Sequence, residues 1–302
     1  MNPWSPLVVA TLGWGLSTTV TRALLQNGVE SFALVPVRLV LALATMAIFT
    51  IFSPRFRNPG RTAWKRGSVL GAISVMPPIV LMTLGLEDLP VAIGGLMIAL
   101  IPISTIGAAH FLVEDERFDP RSLPGLLVSL VGTAVLVGIG GNELDGVDNL
   151  WRGVGLVVAG IVFAGIGGAL SRRYAQEVTG DALVLPEFTV GALLAVALIP
   201  LFPAEGIGTW SGTDWWLMIL VGILGTAAPH AAFLVGASVN PAWRLALTGY
   251  TVPVVAIILA VVFLGEKLTP AIIFGAVLII GGVVMVERSS QHLPEPGMAT
   301  SR

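Results

Sequence analysis

Glu116-Arg117-Phe118-Asp119-Pro120 returns as Glu266-Lys267-Leu268-Thr269-Pro270, and 270 − 120 sets the two copies 150 residues apart. From this pair the register extends in both directions. Downstream, Gly125 and Gly132 meet Gly275 and Gly282; upstream, Pro102, Pro90, Pro78 and Pro36 meet Pro253, Pro241, Pro229 and Pro186 at offsets of 150 or 151. Gly15 with Gly165, Arg22 with Arg172, Gly71 with Gly222 and Gly85 with Gly236 keep the same spacing. Unrelated halves of this proline content would share about one such pair by chance, so the chain carries one unit twice. The units are expected at residues 1–150 and 151–288, followed by a short, polar, disordered cytoplasmic tail at 289–302.

Each unit belongs in a bilayer. Hydrophobic residues make up 55% of the chain, charged residues 11%, and the mean hydropathy is +0.90, a balance no soluble domain shows. Stretches long enough to cross a hydrocarbon core fall at about 4–22, 32–53, 67–86, 91–113, 122–141, 152–171, 182–202, 214–237, 241–264 and 269–287. They are continuously apolar and lack the dyad alternation of barrel strands, so the fold class is all-α, a polytopic membrane protein with ten transmembrane helices, five per unit. Five is odd, so the second unit enters the membrane upside down and the two are inverted repeats. Cationic residues set the orientation. An inside N-terminus puts Arg55, Arg57, Arg61, Lys65, Arg66, Arg117, Arg121, Arg172, Arg173, Arg244, Arg288 and Arg302 in the cytoplasm, against Arg22, Arg152 and Lys267 outside. A multi-pass protein of the plasma (inner) membrane with both termini cytoplasmic is expected. The first apolar stretch lacks the basic leader of a cleaved signal peptide and reads as a retained helix.

Composition also excludes chemistry. The net charge is −2 and the basic loop at 55–66 is the one cationic run, which serves as a topology signal and not as a nucleic-acid surface. With no cysteine there are no disulfides or thiolate metal sites. The intramembrane glycines Gly94-Gly95 and Gly165-Ile166-Gly167-Gly168 precede no Lys-Ser/Thr and read as packing positions, not a phosphate loop. No cofactor is implied. A membrane-embedded enzyme would need acid, base or metal ligands clustered at one depth; the chain has three histidines, one in the tail, and no HExxH. That enzyme and a non-transporting membrane scaffold are the alternatives to a carrier, for which inverted repeats supply two near-equivalent packings, one open to each side.

The repeated Glu-(Arg/Lys)-x-(Asp/Thr)-Pro motif, the mid-helix Pro102 and Pro253, Trp14-Gly15 and Arg38 together resemble the drug/metabolite transporter superfamily, in its EamA-like branch with two tandem EamA repeats. The resemblance covers residues 4–287. It implies a ten-helix secondary transporter exporting amino acids or other small metabolites, with the first, third, fourth, sixth, eighth and ninth helices around the path. It also implies a structural, hydrogen-bonded role for Arg38.

Read from the residues, Asp119 and Thr269 cap the helices opened by Pro120 and Pro270, and Glu116 and Glu266 each hold a turn against a neighbouring helix. Pro78, Pro102, Pro229 and Pro253 are hinge positions, because a mid-span proline frees a carbonyl where water is absent. Pro77 faces Ala228 in the register, so the third and eighth helices should bend differently. If Glu187 faces a dry interior its charged form is disfavoured and it is a proton-coupling candidate, the alternative being a snorkelling or surface carboxylate; His230 beside Pro229 is the second candidate, the alternative being a histidine bonded to a neighbouring backbone carbonyl. Arg244 could attract an anionic substrate group or simply set topology. A substrate cavity lined by Trp14, Thr18, Met76, Met97, Phe163, His230 and Tyr250, with Arg244 at its edge, would be apolar with a few polar handles. Trp64, Trp151, Trp210, Trp215 and Trp216 fall at span ends as interfacial anchors. The expected partners are a small-molecule solute and the lipid bilayer, with no nucleic acid and a monomer as the working state.

Overall fold

The computed structural model describes residues 4–52, 59–112, 120–138, 149–174, 177–201, 204–237 and 242–290. Among them there is no strand. The helices are α1 (Trp4–Gln26), α2 (Ser31–Phe52), α3 (Arg61–Asp88), α4 (Val91–Leu112), α5 (Leu123–Gly138), α6 (Leu150–Tyr174), α7 (Gly180–Ala197), α8 (Gly212–Gly236), α9 (Ala242–Leu264) and α10 (Pro270–Ser290). Seven of these, α1 to α4 and α6 to α8, are long and apolar enough to cross a membrane. Helix α5 has 16 residues, and the continuous apolar parts of α9 and α10 are Thr251–Leu264 and Pro270–Val286.

Local chemistry explains where the helices start and stop. Ser211 caps α8 in a reciprocal box: its hydroxyl accepts from the Asp214 amide at 3.2 Å, and the Asp214 carboxylate accepts from the Ser211 amide at 2.9 Å. Thr269 Oγ1 accepts from the Ile272 amide at 3.2 Å, as expected for the residue before Pro270; Asp119 lies outside the described residues. Gly265, at φ 67°, ends α9 in the left-handed conformation that costs other residues a Cβ clash.

The proline pairs leave visible marks. A π turn at Gly71–Val75 precedes Pro77 and Pro78 in α3, and a π turn at Ile223–Ala227 precedes Pro229 in α8. Such turns re-accommodate backbone groups that a proline cannot serve. The two helices thus carry the same five-residue irregularity upstream of their prolines. A 3-10 turn at Ile98–Leu100 marks α4 before Pro102, whereas α9 runs unbroken through Pro253.

Glycines set the packing. Helix α1 of the first unit lies against α8 and α9 of the second: a Cβ on Gly13 would stand 2.9 Å from the Pro229 side chain, and one on Gly15 2.5 Å from Val255. Helix α6 of the second unit lies in the same way against α3 and α4 of the first, with Gly160 on Met82, Gly167 on Ser74, and Gly165 and Gly168 on Ser104 and Thr105. The leading helices are therefore exchanged between units. At the periphery α5 and α10 form a tight pair, Gly125 against the Gly282 carbonyl and Gly132 against Gly275 and Ile279, where added side chains would strike backbone. Leu12, Phe52, Leu130, Val262 and Phe263 on the outer surface are exposed, an arrangement suited to lipid.

Helix α10 continues to Ser290, since the Ser289 hydroxyl donates to Val286 O at 2.7 Å and lies 2.7 Å from the Ser122 hydroxyl. Residues 291–302 lie outside the described residues.

Candidate functional site

Helix α7 can press against α3 because Gly67 and Gly71 have no side chains: a Cβ at either would meet Pro186, the Leu183 carbonyl or the Glu187 backbone. With the backbone of Glu187 seated there, its carboxylate reaches α8. Glu187 Oε1 lies 3.6 Å from His230 Nε2, and the carboxylate side chain is 1% exposed against 20% for the imidazole. Aromatic rings flank the imidazole. Trp14 meets His230 edge to face at 5.8 Å, Phe188 does so at 5.4 Å, and Phe233 lies 5.2 Å from Trp14. Glu187 Oε2 is buried with no hydrogen-bond partner. A buried, unserved carboxylate oxygen is expensive unless a proton or a ligand donor comes to it.

One helical turn away on α8 lies a second polar group. Arg38 of α2 is 7% exposed and donates from Nε to Thr226 Oγ1 at 2.6 Å, from Nη2 to Ser17 Oγ at 2.7 Å and from Nη1 to Thr21 Oγ1 at 3.3 Å. Thr226 in turn donates to Val221 O at 2.7 Å. Thr226 and His230 are four residues apart, so Arg38 and Glu187 address points about 6 Å apart along one face of α8. Arg38 ties α2, α1 and α8 together through hydroxyls, in keeping with the hydrogen-bonded role expected of it.

Of the residues singled out from sequence, the structure brings Trp14, Glu187 and His230 together, next to the hinge Pro229. Thr18, Met97 and Phe163 have other surroundings. The Thr18 hydroxyl donates to Gly15 O at 2.9 Å within its own helix. Met97 is fully buried in a second core with Leu96, Val157 and Ile279. Met76 borders an apolar cavity of about 190 Å³ between α2, α3 and α7, which also includes Phe32, Pro36, Val80 and Leu198. Phe163 on α6 is 37% exposed. Pro102 touches Gly249 of α9, while the side chains of Arg244 and Tyr250 lie outside the described residues. Sequence reading missed Phe188, though the repeat register held a signal: 38 + 150 makes it the equivalent of Arg38, and both are buried. It also missed Ser17, Thr21 and Thr226, whose hydroxyls look like ordinary helix residues until the guanidinium is placed among them.

Several known proteins are similar to this chain. A protein of Streptantibioticus cattleyicolor bearing the name "Probable terminal-alkyne amino-acid exporter" is 27% identical over 93% of this chain and 92% of its own length. The "Uncharacterized transporter YvbV" of Bacillus subtilis is 22% identical over 70% of this chain and 68% of its own. A crystal structure of another protein superimposes with a TM-score of 0.65 at 20% identity, covering 96% of this chain and 99% of the other, which shows a common fold. The sequence profile of the EamA-like transporter family matches twice, over residues 6–138 and 151–288. The chain is a member of the EamA-like transporter family, built from two tandem copies of its repeat.

Proposed function

We propose that this protein is a secondary transporter that exports small organic metabolites, amino acids foremost, by alternating access. The observation that carries the reading is the cluster of Trp14, Glu187 and His230, where a helix of the first unit meets two of the second around a buried carboxylate oxygen without a partner. In this reading α1 to α10 all cross the membrane as two inverted five-helix repeats, residues 1–150 and 151–288, and both termini lie in the cytoplasm of the plasma (inner) membrane. The cationic bias of the loops supports that orientation. The π turns before Pro78 and Pro229 and the 3-10 turn before Pro102 supply hinges, so that α3, α4, α8 and α9 rock against the remainder. Protons drive export through Glu187 and His230.

The substrate class draws support from the Streptantibioticus relative, whose name specifies an amino-acid exporter. Aromatic rings beside one carboxylate suit a solute with an apolar body and a hydrogen-bond donor. Purified protein in liposomes, loaded with radiolabelled apolar amino acids under an imposed pH gradient, tests the reading. Wild type should show gradient-dependent flux, Glu187→Gln should lose the dependence on the gradient, and His230→Asn should weaken it. Gradient-dependent flux unchanged in both variants would remove these residues from coupling, and no flux of any amino acid would remove the substrate class.

A further inference from the structure

The loop after α9 reaches across to the other unit. Glu266 Oε1 accepts from the Val91 amide at 2.8 Å and Oε2 from the Ala92 amide at 2.9 Å, so both carboxylate oxygens close the first turn of α4. Pro90, which cannot donate, precedes these amides, and no side chain of the first unit caps this helix. The capping charge of α4 is thus borrowed from a residue 175 positions away.

Two neighbouring features show that this contact closes one end of the bundle. Directly below it Val91 packs with Ala256 and Ala260, all fully buried, and Leu264 lies alongside, so the seam between α4 and α9 is sealed beneath the carboxylate. Around it stands a charged collar. Arg22 of α1 donates to the carbonyls of Leu86 and Glu87 and lies within electrostatic reach of Glu266 and Asp88. Arg152 of α6 pairs with Glu87 at 3.1 Å and Asp88 at 3.0 Å. By the cationic bias this is the end away from the cytoplasm.

Resting on the alternating-access reading above, we infer that Glu266 is a latch: its carboxylate on the α4 N-terminus holds the outer end of the α4/α9 seam shut, and its release lets that end open. The chemistry suits a latch better than a permanent joint. Two charge-assisted bonds to backbone amides are strong enough to bias two packings of similar energy, yet water can replace both partners once the end is exposed. A greasy seam alone offers no such exchangeable fastening.

The chain has no cysteine, so a single cysteine at Ala260 reports on the seam without background. Vesicles containing Ala260→Cys are treated with a membrane-impermeant maleimide, applied to each membrane face in turn, with no substrate present. Adding Glu266→Ala should raise the labelling rate about a hundredfold from one face, the effect of losing two charge-assisted bonds worth about tenfold each in the balance of states. Glu266→Gln, which keeps an acceptor and loses the charge, should give a smaller rise. Val91→Pro removes one amide donor at a position where proline suits the first turn, and it should also speed labelling. Because Val91 also packs in the seam, Val91→Ala is the side-chain control, and combined with Glu266→Ala the proline should add no more than that control adds. Labelling at the parent rate in Glu266→Ala, or independent and additive effects of the two substitutions, would overturn the latch. Because this readout needs no transport, failure of the latch leaves the flux assay standing, and a protein that moves no amino acid can still show the latch.

Discussion

Replacing Arg38 by methionine isolates what a buried guanidinium contributes to this fold. The two short bonds, at 2.6 Å to Thr226 and 2.7 Å to Ser17, are of the charged type. They contribute about 1.5–3 kcal/mol each, or about 3–6 kcal/mol together. The contact to Thr21 at 3.3 Å adds little. Against this stands about 2.5–3.5 kcal/mol for holding an arginine in a span. The difference runs from about 0.5 kcal/mol destabilising to about 3.5 kcal/mol stabilising, and methionine strands the Ser17 hydroxyl, which tips the balance further against it, while Thr226 keeps its bond to Val221 O. Arg38→Met should therefore be less stable by about 1–3 kcal/mol, Arg38→Lys should fall between the two, and Ser17→Ala added to Arg38→Met should cost nothing further. Thermal unfolding in detergent, followed by tryptophan fluorescence, measures the order. An Arg38→Met protein as stable as wild type but dead in flux would refute the reasoning, since the guanidinium would then act on the solute and not as a tie between helices.

Three further outcomes follow from the packing. Gly132→Leu should split the α5/α10 pair, because its Cβ alone would stand 2.8 Å from the Ile279 amide nitrogen, and a loss of about 1–3 kcal/mol is expected in the same unfolding assay. Gly13→Val should slow flux more than it lowers stability, since it presses on the Pro229 side chain and the Leu224 carbonyl beside the α8 π turn; stability loss with unchanged flux would contradict this. Arg66→Ala should matter little. Its bidentate pair with Glu177 at 2.7 and 2.6 Å and its stacking over Tyr174 at 4.7 Å are solvent-screened, so a small loss of stability that shrinks with added salt is expected.

The repeat was legible because prolines and glycines answer to backbone geometry, which a duplicated unit must keep, and the all-helical class was legible because lipid admits few alternatives. Glu187 and His230 stood out for the same reason, as titratable groups inside apolar runs are costly. Their meeting was not legible. It depends on Gly67 and Gly71 letting α7 approach α3, and nothing in either glycine announces which helix will lie on it. A helical position near mid-span fixes depth but not azimuth, which is why Met97 could turn into a core and Phe163 outward. For Glu266 the sequence located a turn, but its partner amides belong to the other unit.

The exchange of α1 and α6 between the units governs how the chain is made. Helix α1 is synthesised first, yet the surfaces it fits, beside Pro229 and Val255, follow more than 200 residues later. At the usual pace of about 5–20 residues per second the ribosome needs about 10–50 seconds to deliver them. During that interval the glycine face of α1 has only lipid or an insertion factor for company. The first half-molecule is thus an unfinished socket awaiting its plug, and severed halves should regain a native state only when both are produced in the same membrane.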